Sequence, residues 1–257
     1  MKETIQNGLK AVLPQRVRRA IFHLGFNLDQ DEFLSFAHLY ANAPHMQRGL
    51  QRLAERGLRI GSIVDIGAFH GNWSEMAHGI WPSASITMVE ANQDKEPVLS
   101  RVAERLGADL QFNLLGPEDD DPVEFFVMES GSSVFEENSP LDRRKTKLST
   151  KTLDTLLAGK QVDLIKIDTQ GFELEVLKGA SKSLEAAKAV LLEISLIQIN
   201  KGAPLIAEVI AFMDERGFAV CELLELHRRP LDQATNQIDL LFVPKSSDLL
   251  TDTRHFA

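Results

Sequence analysis

The chain has 257 residues, 44% of them hydrophobic and 25% charged, which is enough apolar material for a sizeable globular core. The formal net charge of −9 argues against a general nucleic-acid binder, because an acidic surface repels phosphate backbones. The single cysteine, Cys221, excludes an intrachain disulfide framework. The N-terminus lacks the apolar core of a signal peptide and no apolar run is long enough to span a bilayer, which predicts a cytoplasmic protein without membrane contact.

The first 57 residues are predicted to be helical. Apolar residues recur at helical spacing within 5–13 and 33–40, and Pro44 is placed to open a third helix. This N-terminal region, residues 1–57, is predicted either to cap the main domain or to form a lid or dimer surface. The second alternative includes a homodimer formed through these helices.

From residue 58 the pattern changes to β-rich runs that alternate with helical segments, and residues 58–245 are predicted to form the main domain. Strands are predicted at 62–66, 85–90, 109–115, 123–128, 162–168, 189–195, 218–226 and 237–243. Helices are predicted at 73–80, 94–106, 151–157, 173–187 and 203–216. The alternation predicts a doubly wound α/β fold with a mostly parallel, seven-stranded sheet. Only a loop separates the last two strands, which predicts a terminal antiparallel hairpin, and residues 246–257 are predicted to be a polar tail.

A glycine-containing loop, VDIGAFHGNW at residues 64–73, follows the first predicted strand. Open α/β sheets bind ligands at the carboxyl ends of strands, and glycine lets the backbone approach a ligand closely. The spacing differs from the G-x-G-x-x-G that holds a pyrophosphate, which favours a ligand without phosphate. A purely structural turn is the alternative. The predicted cofactor contacts in this loop are Asp65, Gly67, Ala68, Phe69, His70, Gly71, Asn72 and Trp73.

Glu90 ends the second predicted strand, in the sequence MVEAN. A carboxylate at this point can accept both hydrogens of a ribose diol, and NAD enzymes use the same device. Glu90, Ala91 and Asn92 are therefore predicted to bind an adenosine ribose, with a solvated strand-end carboxylate as the alternative. The adenine is predicted to lie against three residues at the end of the third strand: Asn113, Leu114 and Leu115.

The segment VDLIKIDTQGFELEVLKGA at residues 162–180 follows TLDTLL at residues 152–157. Together with the first loop and Glu90, these motifs resemble the FkbM family of S-adenosylmethionine-dependent methyltransferases over roughly residues 58–244. The resemblance implies a Rossmann-like class I methyltransferase fold, S-adenosylmethionine as the cofactor, and methyl transfer, most often to a hydroxyl oxygen. The implied acceptor is a sugar, a polyketide or a similar small metabolite. An NAD-dependent oxidoreductase and a non-catalytic cofactor-binding scaffold are the alternatives.

Methyl transfer to a hydroxyl requires a base, and histidine is the usual base near neutral pH. His70 lies in the cofactor loop and His227 lies at the end of a late strand, so both are candidates. Asp168 is predicted to contact the cofactor and the reacting groups. Asp168 and Glu193 could instead bind a divalent metal, although the sequence has no compact metal-ligand motif.

Four residues are predicted to lie near the acceptor: Ser132, Ser133, Gln170 and Glu173. Gln170 stands where the family usually has glutamate, and it keeps the side-chain length but loses the charge. A plain turn is the alternative for the two serines. An electrostatic contribution to the partly positive helix start is the alternative for Glu173.

Overall fold

The computed structural model describes residues 37–128, 132–137 and 143–255. The chain divides into two compact units, Met1–Pro44 and His45–Ala257. Of the first unit only residues 37–44 are described, and they include a helix at 37–42. Most of the predicted N-terminal cap therefore lies outside the described residues, and the domain boundaries and the dimer surface stay predictions.

Strands and helices alternate through the second unit. The strands are β1 (Ser62–Ile66), β2 (Ser85–Glu90), β3 (Asp109–Phe112), β4 (Leu114–Leu115), β5 (Pro122–Val127), β6 (Arg144–Lys151), β7 (Leu164–Ile167), β8 (Ala189–Ser195), β9 (Phe218–Arg228) and β10 (Thr235–Pro244). The helices are α1 (Met46–Glu55), α2 (Asn72–Ile80), α3 (Glu96–Leu106), α4 (Leu153–Leu157), α5 (Glu173–Lys178), α6 (Ser181–Ala186), α7 (Ile206–Glu215) and α8 (Asp248–Thr251). Within the described ranges, no helix has the length and apolar character that a bilayer crossing requires.

Seven strands form the main sheet, in the order β3-β2-β1-β7-β8-β10-β9. The first five of these pair in parallel, whereas β10 runs antiparallel to both β8 and β9. The chain winds outward from β1 in one direction and then from β7 in the other, so the switch point lies between β1 and β7. The predicted doubly wound sheet with a terminal hairpin is confirmed.

The two faces of the sheet pack against separate cores, because successive side chains of a strand point to opposite faces. In β8, Val190 and Leu192 belong to one cluster, and Leu191 belongs to the other. Helices α5, α6 and α7 contribute to the first cluster, and α1, α2 and α3 contribute to the second. Both faces are thus covered, as a largely parallel sheet requires.

The strand predicted at 109–115 is two strands. The main-sheet strand β3 ends at Phe112, and β4 pairs with β6 in a second sheet of order β4-β6-β5. Strand β6 was not predicted, because its residues RKTKLSTK are nearly all polar and lack the apolar alternation of a half-buried strand. Leu114 and Leu115 consequently turn away from the main sheet, yet both are buried.

Two predicted helices also differ from the structure. The helix predicted at 151–157 begins at Leu153, since Thr152 caps it by accepting the Thr155 N–H at 3.1 Å. The helix predicted at 173–187 is broken into α5 and α6 at Gly179, where a Cβ would overlap the Gly116 carbonyl oxygen.

A substitution at Gly67, directly after β1, tests how closely the backbones after β1 and β7 approach each other. Its φ is 76°, and a Cβ there would overlap the backbone carbonyl oxygen of Asp168. We expect Gly67→Ala to lower the free energy of unfolding by about 2 kcal/mol or more, because left-handed backbone alone costs other residues about 1 to 3 kcal/mol. Urea denaturation measures this change.

Gly79→Ala is the matched control for that substitution. Gly79 lies in α2, and among the described residues no atom beyond its chain neighbours and its own helix backbone lies within 4 Å of the added Cβ. The control is expected to gain roughly 0.5 to 1 kcal/mol from the better helix propensity of alanine. Equal stability of the two variants would contradict the close approach at Gly67.

Candidate functional site

A cleft of about 540 Å³ lies at the carboxyl edge of the sheet, where β1, β2 and β7 end. This is the position at which open α/β sheets bind ligands. The lining residues are Ile66, Gly67, Phe69, Val89, Glu90, Ala91, Asn92, Lys95, Asn113, Leu114, Leu115, Phe125, Ser132, Val134, Asp168, Thr169, Gln170, Phe172 and His227.

The cleft gathers most of the residues that the sequence put forward. Those on its walls are Gly67, Phe69, Glu90, Ala91, Asn92, Asn113, Leu114, Leu115, Ser132, Asp168, Gln170 and His227. Those that do not line it are Asp65, Ala68, His70, Gly71, Asn72, Trp73, Ser133 and Glu173. Sequence reasoning missed Lys95, which lies in a short 3-10 helix at Gln93–Lys95, and Phe125 and Val134, which come from β5 and the segment beside it. It also missed four other lining residues: Ile66, Val89, Thr169 and Phe172.

Glu90 is fixed in place at the end of β2. Its Oε2 accepts the Phe69 N–H and its Oε1 accepts the Asn92 N–H, both at 2.8 Å. Burial raises the pKa of Glu90, and the two backbone hydrogen bonds oppose that rise. Each carboxylate oxygen has a further lone pair, so Glu90 can still accept hydrogen bonds from a diol.

Apolar side chains line the cleft next to Glu90. Val89 and Phe125 contribute from β2 and β5, and Leu114 and Leu115 contribute from β4. The amides of Asn92 and Asn113 lie on the same walls. The departure of β4 from the main sheet therefore produces a part of the cleft whose chemistry suits a flat heteroaromatic base.

Asp65 lies beneath the loop. Its side chain is fully buried, accepts the Ser74 hydroxyl at 2.7 Å, and lies 3.0 Å from Lys166 Nζ. The same ammonium donates to the Gly67 carbonyl oxygen at 3.0 Å. Burial alone would lower the pKa of Lys166, but the carboxylates of Asp65 and Asp168 outweigh it and raise the pKa.

Asp65 thus supports the loop from below, and its direct contact with a cofactor stays a prediction. Sequence reasoning also missed Lys166, although a lysine inside the apolar strand LIKI is itself a signal.

Gln170 joins two carboxylates at the opposite end of the cleft. Its Nε2 donates to Asp168 Oδ1 at 3.0 Å and to Glu193 Oε2 at 2.7 Å. Gln237 Nε2 also donates to Glu193 Oε2, at 2.7 Å. Burial and the nearby carboxylates of Asp168 and Asp239 raise the pKa of Glu193 well above its usual value. Asp168 and Glu193, which the sequence put forward for a divalent metal, are here bridged by amide hydrogens.

His227 reaches this acidic end of the cleft from β9. Its Nε2 lies 2.6 Å from Asp239 Oδ2, on the neighbouring strand β10. The hydrogen bond to Asp239 raises the pKa of His227. Asp239 was missed because its contact with His227 depends on the register of the hairpin.

His70 lies elsewhere. Its ring stacks on Phe69 with centroids 3.8 Å apart, and its Nε2 lies 3.3 Å from Lys95 Nζ. It lines a separate groove with Glu75 and Arg101. The prediction that His70 acts as the base therefore has no support from its position.

Glu173 and Ser133 support the loop after β7. Glu173 Oε1 accepts the N–H groups of Thr169 at 2.9 Å and Gly171 at 3.0 Å. Ser133 Oγ donates to the Gln170 carbonyl oxygen at 2.8 Å. Both side chains are buried and hold the loop through these hydrogen bonds, and their contacts with an acceptor stay predictions.

The fold and the position of the cleft are those of a class I methyltransferase. The Methyltransferase FkbM domain matches residues 65–220, more than half of the chain. The chain therefore belongs to the FkbM methyltransferase family.

Several solved structures resemble this chain in fold. An FkbM methyltransferase from Methylobacillus flagellatus has 15% identity and a TM-score of 0.44, with 71% of this chain and 44% of that chain covered. An S-adenosylmethionine-dependent methyltransferase from Clostridium acetobutylicum has 10% identity and a TM-score of 0.48, with 82% and 98% covered. This chain thus spans less than half the length of the Methylobacillus protein. No curated protein matches the chain in sequence.

Glu173→Gln tests the buried carboxyl of the β7 loop. Burial raises the pKa of Glu173 from 4.5 to about 7, so the folded protein binds this proton more tightly than the unfolded chain. The stability due to protonation is complete below pH 4.5 and is lost as the pH rises through 7. Wild-type unfolding free energy should fall by about 3 kcal/mol from this group over that window, at 1.36 kcal/mol per pKa unit.

The amide of Glu173→Gln cannot ionise, so this slope should be absent from the variant. Denaturant unfolding at a series of pH values measures the difference. The exposed Glu185→Gln should retain the wild-type slope and is the control. A wild-type slope in Glu173→Gln would contradict the assignment.

Gln170→Glu tests the amide bridge. The substitution removes two hydrogen bonds to carboxylates and adds a third negative charge between Asp168 and Glu193. We expect a loss of about 2 to 3 kcal/mol in unfolding free energy at pH 8, because Asp168 and Glu193 each lose one donor and face a further carboxylate in its place. The loss should shrink as the pH falls, since protonation of the introduced carboxyl restores a donor.

The exposed Gln161→Glu is the control for the bridge and should change stability by no more than about 0.5 kcal/mol. Thermal unfolding between pH 5 and pH 8 compares the two variants. A pH-independent effect of Gln170→Glu would count against a bridge between carboxylates.

Proposed function

We propose that this FkbM methyltransferase transfers the methyl group of S-adenosylmethionine to a hydroxyl of a small acceptor such as a sugar, a polyketide or a similar metabolite. The observation that carries the proposal is the layout of the cleft. Glu90 ends β2, Gly67 follows β1 and Asp168 follows β7, so the strand order sets these cleft residues side by side, with His227 of β9 on the far side of Asp168. Small-molecule binding in the cytoplasm, without nucleic acid or membrane, is part of the proposal.

The residues present suit an adenosyl cofactor with an amino-acid tail. Glu90 would accept the ribose hydroxyls, and the walls around Leu114 and Leu115 would hold the adenine, with Asn113 as a hydrogen-bonding partner. Gly67, without a side chain, leaves backbone exposed to the cleft, and Asp168 would attract the ammonium of the tail. When bound, the cofactor supplies an electrophilic methyl group on a positively charged sulfur.

The acceptor would lie at the acidic end of the cleft. The side-chain oxygen of Gln170 and Nδ1 of the His227 imidazole can accept hydrogen bonds from hydroxyl groups there. The enzyme's main contribution would be alignment of the hydroxyl with the methyl carbon, because methyl transfer is an in-line displacement. Lys166 and Asp65 would assist by keeping the loop at Gly67 rigid.

Glu90→Gln tests the cofactor end. Both Glu90 oxygens accept backbone N–H groups, so an amide nitrogen at either position removes one acceptor and disturbs the loop. We expect S-adenosylhomocysteine to bind roughly 10- to 100-fold more weakly, as hydrogen bonds to charged groups contribute about 1.5 to 3 kcal/mol. Isothermal titration calorimetry measures the dissociation constant.

Glu96→Gln is the control, because Glu96 is exposed at the start of α3 and does not line the cleft. Its affinity for S-adenosylhomocysteine should equal that of the wild type. Titration with NAD in place of S-adenosylhomocysteine compares the two cofactor classes. Binding of NAD alone would refute the proposal.

A further inference from the structure

His227 and Asp239 form a hydrogen-bonded pair at the acidic end of the cleft. His227 lies opposite Gln237 in the hairpin, and Asp239 lies opposite Glu225. Residues in register on neighbouring strands present side chains on the same face, so the imidazole and the carboxylate meet diagonally. The side chain of His227 is 38% exposed, whereas that of Asp239 is 8% exposed. The pair thus has a buried carboxylate behind an accessible ring that lines the cleft.

The hydrogen bond determines which ring nitrogen carries the proton. A carboxylate can only accept, so His227 Nε2 must donate to Asp239 Oδ2 across the 2.6 Å contact. In the neutral ring the other nitrogen, Nδ1, then has a lone pair. Among the described residues, the ring has no second hydrogen-bond partner. Nδ1 is therefore available to accept a proton.

The surrounding charges make the pair more than a surface contact. Carboxylates face it from three strands: Glu225 on β9, Glu193 on β8, and Asp168 after β7. Burial raises the pKa of Asp239, while the hydrogen bond with His227 lowers it. The hydrogen bond and charge of Asp239 raise the pKa of His227, together with the charges of Glu225 and Asp168. A positive charge that develops on the imidazole is thus stabilised by this environment.

We propose that Asp239 is a positioning residue, which holds the proton of His227 on Nε2 and leaves Nδ1 as the base for the acceptor hydroxyl. This inference rests on the proposed function. The hydroxyl oxygen forms a bond to the methyl carbon while its proton passes to His227 Nδ1, and the electron pair of the breaking carbon–sulfur bond stays on sulfur. Asp239 stabilises the resulting imidazolium and itself remains ionised, as in other hydrogen-bonded histidine–carboxylate pairs.

Asp239→Asn tests the tautomer directly. Asparagine can donate an N–H to the ring and so removes the preference for a proton on Nε2. Nitrogen-15 NMR of the histidine side chains, with His227 assigned by its absence in His227→Asn, reports which nitrogen is protonated. We expect the Nε2–H to Nδ1–H ratio to fall about tenfold or more in Asp239→Asn, since the charged acceptor that favours a proton on Nε2 is replaced by a neutral amide. The pKa of His227 should fall in the same variant.

Asp232→Asn is the matched control, because Asp232 lies in the turn of the same hairpin and pairs with Arg229 at the surface. It should leave the tautomer and the pKa of His227 unchanged. Addition of S-adenosylhomocysteine should shift the His227 Nδ1 resonance in the wild type, because His227 lines the cleft. Calorimetry should show unchanged affinity for S-adenosylhomocysteine in Asp239→Asn.

The outcomes separate the two proposals. A protonated Nδ1 in the wild type, an unchanged tautomer ratio in Asp239→Asn, or an Nδ1 resonance insensitive to S-adenosylhomocysteine would overturn the base assignment while cofactor binding stands. Absence of S-adenosylhomocysteine binding would overturn the proposed function and the inference with it. Ligand atoms of Glu225, His227 and Asp239 lie within 4.8 Å of one another, so Zn²⁺ is a competitor. Stoichiometric Zn²⁺ binding that engages the Nδ1 lone pair would also overturn the inference.

Discussion

The rest of the site depends on the contacts of the buried Lys166 ammonium with Asp65 and with the Gly67 carbonyl oxygen. Asp65 and Lys166 lie directly opposite each other on β1 and β7, the two strands that flank the switch point. Lys166 joins the Asp65 carboxylate to the Gly67 carbonyl and lies 3.6 Å from Asp168 Oδ2. A buried ammonium needs this many acceptors, because its desolvation is costly without them. The hydrogen bonds that the Lys166 ammonium requires therefore fix the position of the loop at Gly67, which lines the cleft.

The same face of the sheet continues as a polar row towards the hairpin. Glu193 is in register with Asp239, and Asp239 is in register with Glu225. Lys166 is already paired with Asp65, so the carboxylates farther along need other donors. The amides of Gln170 and Gln237 and the ring of His227 supply them. The neutral amides of Gln170 and Gln237 reduce the repulsion between the carboxylates without adding charge. His227 is then the donor in this row that can gain or lose a proton.

The residues at the end of the cleft proposed to hold the cofactor could be placed from the sequence, because local motifs encode their positions. Gly67 and Glu90 sit at strand ends that are visible as apolar runs, and both line the cleft. The strand β6 was invisible because it is polar, so the displacement of Leu114 and Leu115 from the main sheet was missed. Asp65 and Glu173 were singled out from sequence motifs, but their partners could not be predicted. Asp65 meets Lys166 because of strand register, and Glu173 meets the Thr169 N–H because of loop conformation, and the spacing of residues in the sequence encodes neither.

The acidic end of the cleft, where we propose that the acceptor binds, could not be predicted from sequence spacing, because it depends on pairing between separate strands. His227 and Asp239 form a pair only because β9 and β10 pair antiparallel in one register, and a shift of one residue would turn one of them to the other face. The parallel part of the sheet thus supplies the cleft residues predicted to hold a cofactor, and the hairpin supplies the hydrogen-bonded pair of His227 and Asp239, which we propose to act as base and positioning residue. Changes in the hairpin can alter the acceptor end without disturbing Lys166 and the loop, because no hairpin residue contacts that ammonium within the described part of the chain.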